Sequence, residues 1–392
     1  MRFAALMIPT IDRIGGAERQ VLNQAKGLHR RGWGVTVVAL AGTGGDAARE
    51  LQRDGIGYLS LEMRKGLADP RGWLRLLFWL RRNRPDLVQA HLPHAAWMAR
   101  LSRLLAPVPV VVDTIHSAST GGRARRLGYR LTRNLPDFVV AVSHAVAESH
   151  LSAGMVNPQR LTLIPNGVDV TPYCPDRQQR EILRSDLGFG NEFVWLAAGR
   201  LEPVKDYPTT LKAFARLNGP VCLAIAGAGP KQQELKLLAE RLGIAARVRF
   251  LGFQPDVRRW MQAADGFILT SLWEGLPMAV LEAAACQLPQ VATRVSGTQE
   301  AIVEGVTGLL AAPGDDRGLA EAMEWLMAMP SRERRLMGVC GRQRVMEQFS
   351  LEGSLNRQEE LYTNLLAAKR REAAGPGSTT ATKARLPDRS AN

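Results

Sequence analysis

Short runs of apolar residues alternate along the chain with stretches in which apolar residues recur every three or four positions. The runs are typical of buried strands and the longer period is typical of amphipathic helices, so their alternation predicts parallel sheets with crossover helices. The predicted strands are residues 3–8, 35–40, 87–90, 108–112, 138–142 and 161–164, followed by 193–198, 221–226, 248–251, 267–269 and 290–292.

A segment rich in proline, asparagine and aspartate, residues 166–186, separates the two sets of runs and predicts a linker. We therefore predict an α/β fold of two tandem Rossmann-like, doubly wound domains that face a cleft, with residues 1–175 in the first and 176–350 in the second. A leucine stripe predicts a helix over 351–371 that packs back towards the first domain. Residues 372–392 are mainly small, polar or charged, which predicts a disordered tail. The stripe consists of Leu351, Leu355, Leu361 and Leu365.

Composition narrows the class of protein. The 392 residues are 46% hydrophobic and 22% charged, which argues against global disorder and against a fibre. Cys174, Cys222, Cys286 and Cys340 have no metal-binding or redox spacing. Because no apolar run approaches the roughly 18 residues that span a bilayer, we expect a cytoplasmic protein, or a peripheral one on the cytoplasmic face of the inner membrane.

Positive charge is concentrated near the start of the chain. The net charge is +14, and residues 1–135 hold 22 lysines and arginines against 9 acids. This asymmetry predicts an anionic partner: membrane headgroups, nucleic acid or a phosphorylated acceptor. The plainer alternatives are arginines that serve solubility and apolar residues at 73–80 that pack on the sheet. The arginines in question are Arg71, Arg75, Arg81, Arg82 and Arg84, interleaved with tryptophan, leucine and phenylalanine, and Arg123, Arg125, Arg126, Arg130 and Arg133.

Two carboxylates flank a predicted helix start in the stretch from Ser271 to Gln287. Glu274 follows a strand, Pro277 suits the first helical position, and Glu282 lies further along the helix. Carboxylates beside exposed helix amides suit a hydroxyl-rich ligand, and Gly275 lets the backbone approach it. As an alternative, Glu282 is a solvated helix residue and Glu274 a charge that favours the helix dipole.

Cations and glycines follow the first two strands of the second domain. Gly199, Arg200 and Lys205 come after the first strand and form a candidate diphosphate cradle, although such residues are often ordinary surface residues. Gly227 and Gly229 come after the second strand and permit a tight turn with close ligand approach, but they lack the full dinucleotide fingerprint.

The first domain offers weaker candidates. Gly15 and Gly16 lie between a strand and a helix, where backbone amides can receive an anion. His116 follows a strand at its carboxyl end, where open sheets bind ligands. For His91 and His94 a structural role is favoured, because a lone histidine is more often structural than catalytic.

Together these motifs resemble the family-4 retaining glycosyltransferases, which have the GT-B fold. The resemblance covers about residues 3–370, and the order of the motifs is specific. They are Gly15-Gly16-Ala17-Glu18, Thr114-Ile115-His116, Val142-Ser143, Pro165-Asn166-Gly167-Val168-Asp169, Gly199-Arg200-Leu201 with Lys205, Gly227 to Pro230, Phe250-Leu251-Gly252, Glu274-Gly275-Leu276-Pro277 with Glu282, and Gly308-Leu309-Leu310.

The resemblance implies sugar transfer from a nucleotide-diphosphate donor to a hydroxyl of a lipid-linked or polysaccharide acceptor in envelope or exopolysaccharide synthesis, including lipopolysaccharide. It implies retention of the anomeric configuration, no metal and no cofactor beyond the donor, with UDP favoured over GDP. It also implies roles for individual residues. Arg200 and Lys205 would hold the diphosphate. The sugar would be bound by Glu274 and by the backbone of Gly275, Leu276, Pro277 and Met278, and the ribose by Glu282. His116 would orient the sugar, and the loop at Gly15 and Gly16 would close beneath the diphosphate.

Two departures from the family pattern, Gln89 and Met278, concern sugar and acceptor identity rather than the reaction. Two alternatives stay open. One is a nucleotide-sugar 2-epimerase of related fold, which needs acid and base groups for carbon-acid chemistry. The other is a non-enzymatic basic protein that binds membrane. Nucleic acid is not expected as a partner, because no recognised nucleic-acid motif accompanies the charge.

Overall fold

Two parallel sheets, one in each half of the chain, organise the computed structural model, which describes residues 2–12, 14–64, 69–173, 175 and 177–374. The first sheet has seven strands in the order β3-β2-β1-β4-β5-β6-β7. This order reverses between β1 and β4, so the polypeptide is doubly wound. The strands are β1 (Phe3–Ile8), β2 (Gly34–Ala39), β3 (Gly57–Ser60), β4 (Leu87–His91), β5 (Val110–Ile115), β6 (Phe138–Ala141) and β7 (Leu161–Leu163).

Helices cover both faces of this sheet, as buried parallel strands require. They are α1 (Gly16–Arg30), α2 (Gly45–Arg53), α3 (Pro70–Asn83), α4 (Pro93–Ser102), α5 (Arg123–Thr132) and α6 (His144–Ser152). Leu28 of α1 and Leu51 of α2 belong to the core on one face, whereas Leu76 of α3, Ala99 of α4 and Tyr129 of α5 belong to the core on the other. Helices α3, α4 and α5 therefore form one layer.

The second sheet has six strands in the order β10-β9-β8-β11-β12-β13. Its strands are β8 (Phe193–Ala198), β9 (Val221–Ala226), β10 (Val248–Gly252), β11 (Gly266–Leu269), β12 (Gln290–Thr293) and β13 (Gly308–Ala311). Its helices are α7 (Arg177–Asp186), α8 (Tyr207–Ala215), α9 (Gln232–Arg241), α10 (Arg258–Ala263), α11 (Met278–Ala285), α12 (Ser296–Ala301), α13 (Asp316–Ala328) and α14 (Ser331–Gln348). The predicted fold of two doubly wound α/β domains is confirmed.

The chain crosses between the domains twice, and the two crossings lie side by side. The amide of Val168 donates to the carbonyl of Phe349 at 2.8 Å, and the amide of Leu351 donates to the carbonyl of Val168 at 2.9 Å. A Cβ on Gly167 would lie 2.5 Å from the Cα of Leu351, so only glycine permits this approach. After the second crossing, helix α15 (Leu351–Ala374) packs on α1 and β5 of the first domain.

Several predicted boundaries need correction. All eleven predicted strands are present within one or two residues at most ends, but β3 and β13 were not predicted. Helix α7 occupies the second half of the predicted linker, because Arg180 and Arg184 pair with Asp265 of the second domain. Helix α15 ends at Ala374, three residues beyond the predicted end. Cys174 and residues 375–392 lie outside the described residues.

The arginine-rich segment from Arg71 to Arg84 forms most of α3, which begins at Pro70 with the Asp69 side chain accepting from the Arg71 amide at 3.0 Å. Leu76 and Leu80 are buried, so packing on the sheet accounts for part of its apolar pattern. Leu74 and Phe78 are exposed. In the part of the chain that the structure describes, no helix combines the length and apolarity that crossing a bilayer requires.

Candidate active site

The loops that follow β8 and β11 meet at the carboxyl edge of the second sheet. These two strands are neighbours, so the loops emerge side by side. The hydroxyl of Thr270 donates to the carbonyls of Lys205 and Asp206 at 2.9 and 3.0 Å, and the amide of Leu272 donates to the carbonyl of Val204 at 2.8 Å. The two loops therefore form one bonded unit.

Lys205 and Glu274 form an ion pair at this junction. Lys205 Nζ lies 2.5 Å from Glu274 Oε1, and the two side chains are 19% and 14% exposed. The hydroxyl of Ser271 donates to the same oxygen at 2.6 Å. Because both bonds use Oε1, Glu274 Oε2 is left for a ligand, and the carboxylate is held in one orientation. Sequence reasoning gave the two residues separate roles and did not predict their direct contact.

Arg200 behaves differently from Lys205, although the sequence suggested that they act as one clamp. Its side chain is 71% exposed and lies 3.0 Å from Glu202 Oε1. The structure therefore places one cation of the predicted clamp against Glu274 and the other in solvent beside the same loop.

Gly227 and Gly229 serve packing between neighbouring loops. A Cβ on Gly227 would lie 1.9 Å from the carbonyl oxygen of Gly199, and one on Gly229 would lie 2.4 Å from the carbonyl oxygen of Leu201. The space through which a ligand was predicted to approach these glycines is thus filled by the backbone of the Gly199–Leu201 segment. Their backbones do not adopt the left-handed conformation that would mark a glycine-specific tight turn.

The cleft is narrow where the two domains face each other. A Cβ on Gly275 would lie 2.2 Å from the carbonyl oxygen of His116, and one on Gly16 would lie 3.3 Å from Met278 Cγ. Leu276 is buried. Pro277 is the N-cap of α11 rather than its first helical residue as predicted, so the helix begins at Met278. The structure thus brings the predicted Gly15–Gly16 loop and His116 together with the predicted sugar-binding loop.

Glu282 lies on α11, facing Tyr173 and the first domain. Burial raises the pKa of Glu282 to about 7, while nearby Arg19 and a hydrogen bond with Tyr173 oppose that rise. Because charged carboxylates are stabilised by donors, a ligand that offers hydroxyl groups here would favour the ionised form. Tyr173 and Arg19 were not predicted as site residues; Arg19 directly follows the Gly15–Glu18 motif, which is the one sequence signal for it.

His116 is paired with His91 rather than isolated. Nδ1 of His91 and Nε2 of His116 are 3.0 Å apart, and the rings stack with centroids separated by 5.3 Å. Burial lowers the pKa of His116 to about 4 and, together with His116, lowers that of His91. Both rings are therefore neutral near pH 7, and one donates to the other. His91, predicted to be structural, directly supports the candidate site residue.

A small polar cavity of about 10 Å³ adjoins this histidine pair beneath α15. Its lining includes Gln20, Asn166, Ser354 and Gln358. Within the described ranges, no three carboxylate, imidazole or thiol side chains lie close enough together to hold a metal ion.

Two protein families match the chain, one over each domain. Residues 14–171 match the family described as Glycosyltransferase Family 4, and residues 179–343 match Glycosyl transferases group 1. The chain belongs to the family 4 glycosyltransferases. It is therefore an enzyme that transfers sugars, and the non-enzymatic alternative is wrong.

Individual relatives cover most of this glycosyltransferase. Lipopolysaccharide core biosynthesis glycosyltransferase LpsE of Rhizobium meliloti is 29% identical over 360 residues, which span 91% of this chain and 96% of LpsE. UDP-Gal:alpha-D-GlcNAc-diphosphoundecaprenol alpha-1,3-galactosyltransferase of Escherichia coli is 24% identical over 317 residues, spanning 77% of this chain and 81% of the relative.

Solved structures show the same fold. Anabaena HepE in complex with UDP superimposes with a TM-score of 0.81 at 24% identity, over 93% of this chain and all of HepE. The predicted GT-B architecture is confirmed.

Proposed function

We propose that this glycosyltransferase moves a sugar from a nucleotide-diphosphate donor to a hydroxyl of a lipid-linked or glycan acceptor in envelope or exopolysaccharide synthesis. The reaction retains the anomeric configuration and needs no metal ion, and UDP is the favoured nucleotide. The observation that carries the proposal is the Lys205–Glu274 ion pair at the carboxyl edge of the second sheet, where it faces the first domain at Gly275 and His116.

Lys205 is the fixed cation of this site. Its position beside Glu274 lets it approach a diphosphate without reorganisation, and a preorganised cation stabilises the negative charge that develops as the nucleotide departs. Arg200 is exposed and paired with Glu202 on the same loop, and it exchanges this partner for the diphosphate once the nucleotide sugar is bound. Its fork-shaped guanidinium then supplies further N–H groups to the phosphates.

The remaining groups position the donor. Oε2 of Glu274 accepts hydrogen bonds from sugar hydroxyls, and backbone amides and carbonyls of residues 275–278 donate to and accept from other hydroxyls of the sugar. Glu282 accepts from the ribose. His116 is a neutral hydrogen-bonding group near the sugar, held by His91. The loop at Gly15 and Gly16 closes the site from the first domain, since Gly16 already faces Met278.

The names of similar proteins support the choice of substrates. One relative acts in lipopolysaccharide core synthesis and another uses UDP-Gal and a diphosphoundecaprenol acceptor. A protein of the same fold binds UDP. These likenesses favour a UDP-sugar donor and an acceptor that carries a lipid through a diphosphate.

The test is incubation of the purified protein with a panel of UDP- and GDP-sugars, with and without a bacterial lipid extract, in the presence of EDTA. We expect nucleotide diphosphate release that depends on the extract and a product whose anomeric configuration matches the donor by NMR. Release of an altered free sugar without an acceptor would instead identify the 2-epimerase. Loss of turnover in EDTA, restored by a divalent metal, would contradict metal independence.

Substitutions test the leaving-group cations. Lys205→Ala should lower kcat by about 10²- to 10³-fold, because one preorganised charge is lost from the transition state. Arg200→Ala should also lower kcat while leaving the Tm unchanged, since its side chain is exposed. Lys236→Ala and Arg241→Ala, on the exposed side of α9, are the matched controls. Turnover within a fewfold of the parent in Lys205→Ala would contradict the assignment.

A further inference from the structure

The outward side of the α3–α4–α5 layer exposes large apolar side chains. Leu74 and Phe78 on α3 are 68% and 67% exposed, and Leu131 on α5 is 78% exposed. In contrast, none of the large apolar residues of α1 and α2, whose residues are all described, is exposed to this degree. The other exposed members of the layer are Leu101, Leu104, Leu105 and Leu127.

The three helices hold these residues on one continuous surface. Arg81 of α3 donates to the carbonyl of Leu105 after α4 at 2.8 Å, and the ring of Trp97 on α4 lies 5.9 Å from that of Tyr129 on α5. Since all three helices pack on the same face of the sheet, their exposed residues point the same way. We call this surface the arginine-leucine face.

Arginines surround the apolar residues on this face. Residues 70–135 contain twelve arginines, no lysine, no glutamate and two aspartates. Asp113 is buried against Arg100, and Asp86 accepts from the amide of Phe3, so neither neutralises the surface. Arg75 and Arg103 pair with acids elsewhere in the chain. Six arginines are exposed and form no ion pair with any residue that the structure describes: Arg71, Arg82, Arg84, Arg123, Arg130 and Arg133.

We propose that the arginine-leucine face docks on a bilayer surface rich in anionic phospholipid. Exposed leucine and phenylalanine side chains enter the boundary between headgroups and acyl chains, while the surrounding arginines contact lipid phosphates. Nucleic acid fits less well, because binding to a phosphate backbone depends on charge and leaves exposed aliphatic side chains without a role.

Docking in this way places the cleft beside the lipid. Helix α4 begins at Pro93, directly after β4, and α5 begins at Arg123, seven residues after His116. The N-terminal ends of both helices therefore lie at the cleft edge of the sheet. A lipid-linked acceptor could enter the cleft from the side without leaving the membrane, and this consequence rests on the proposed function.

Flotation of the full chain with vesicles tests the proposal. We expect binding to vesicles in which about a third of the lipid is phosphatidylglycerol, weaker binding at high salt, and little binding to phosphatidylcholine alone. Absence of binding to the anionic vesicles at moderate salt would overturn the proposal.

Two sets of substitutions separate the contributions of the face. Arg82→Gln/Arg123→Gln/Arg133→Gln should weaken binding by about 100-fold, since each arginine contributes about fivefold. Leu74→Ser/Phe78→Ser/Leu131→Ser should weaken it by about tenfold or more at unchanged charge. The matched controls lie on the second domain: Arg241→Gln/Arg332→Gln/Arg335→Gln and Leu237→Ser/Leu336→Ser.

The outcomes are distinct. Loss of vesicle binding in both face variants but in neither control supports the proposal, and equal loss in the controls overturns it. Binding to duplex DNA that only the arginine variant loses, with no vesicle binding, would assign the face to nucleic acid. Because the face lies outside the donor site, donor hydrolysis should be unchanged in all variants, so its absence in the parent would count against the proposed function and not against docking.

Discussion

Two short ion pairs, Arg100–Asp113 in the first domain and Lys205–Glu274 in the second, occupy opposite kinds of environment. In the first domain Arg100 and Asp113 are 0% and 1% exposed, with Arg100 Nε 2.6 Å from Asp113 Oδ2. In the second, Lys205 and Glu274 keep part of their surface at the cleft. The first pair holds α4 to β5 and has no route to a ligand, whereas the second leaves carboxylate Oε2 and ammonium protons available. Similar chemistry therefore joins two elements of the core in one domain and leaves polar atoms exposed to the cleft in the other.

The buried pair should give the largest effect on stability. Arg100→Met leaves the Asp113 carboxylate buried without a cation, which should lower the free energy of unfolding by about 3–5 kcal/mol. Burial already raises the pKa of Asp113 against the opposing effect of Arg100, and removing the arginine raises it further. The folded variant then retains a proton that the unfolded chain releases, so its stability should fall as the pH rises from 5 to 8. Denaturant unfolding at the two pH values measures both effects.

A paired substitution provides the control for this prediction. Arg100→Met/Asp113→Leu removes both charges and should recover much of the lost stability. Donor turnover of either variant, measured well below its Tm, should stay within a fewfold of the parent. A large loss of turnover without unfolding would mean that the buried pair also serves the cleft.

The Lys205–Glu274 pair should affect turnover more than stability. Lys205→Met should lower stability by only about 1–2 kcal/mol, in contrast to its large effect on kcat. A double-mutant cycle with Glu274→Gln measures how far the two residues act as a unit. Because Lys205 orients the carboxylate that we propose to bind the sugar, the effects on kcat should be less than additive. Fully additive losses would contradict this coupling.

Some of this arrangement was predictable from the sequence. Eleven strands were identified because fully buried parallel strands are continuous apolar runs, as in β9, where all six residues are buried. The two missed strands, β3 and β13, are four-residue strands at the sheet edges. Edge strands have one unpaired side, so a shorter and less apolar sequence suffices.

Contacts between distant residues were harder to predict. Lys205 and Glu274 are 69 positions apart, although the strand order of a doubly wound sheet makes β8 and β11 neighbours and could have suggested the pair. No periodicity identifies Tyr362 of α15, which is fully buried and hydrogen-bonded to Gln24 at 2.6 Å. Tertiary packing alone places such a hydroxyl.

Affinity for the donor should depend on pH through Glu282, with an effect of intermediate size. Burial raises its pKa to about 7, so the free enzyme holds this carboxyl largely protonated below that pH. If ribose hydroxyls donate to the carboxylate, donor binding requires ionisation, and affinity should rise by about tenfold between pH 6 and 8. Isothermal titration with UDP measures this. Glu282→Gln should bind more weakly and lose the pH dependence, whereas Glu202→Gln should keep it; an unchanged profile in Glu282→Gln would assign the ionisation elsewhere.

The smallest expected effect concerns a contact that joins the two domains. The carboxylate of Glu300 on α12 accepts from the amides of His144 and Ala145, at 2.8 and 2.9 Å, at the N-terminus of α6. A negative charge at a helix N-terminus contributes about 0.3–1 kcal/mol, so Glu300→Gln should destabilise the closed arrangement by that amount. Donor KM should rise by about twofold to fivefold with kcat almost unchanged, and small-angle scattering should show a larger radius of gyration. Glu324→Gln on α13 is the control. A contact that affects only domain closure changes the fraction of molecules with a closed cleft and leaves the closed cleft itself unchanged. A fall in kcat at constant KM would therefore mean that Glu300 acts on the chemical step.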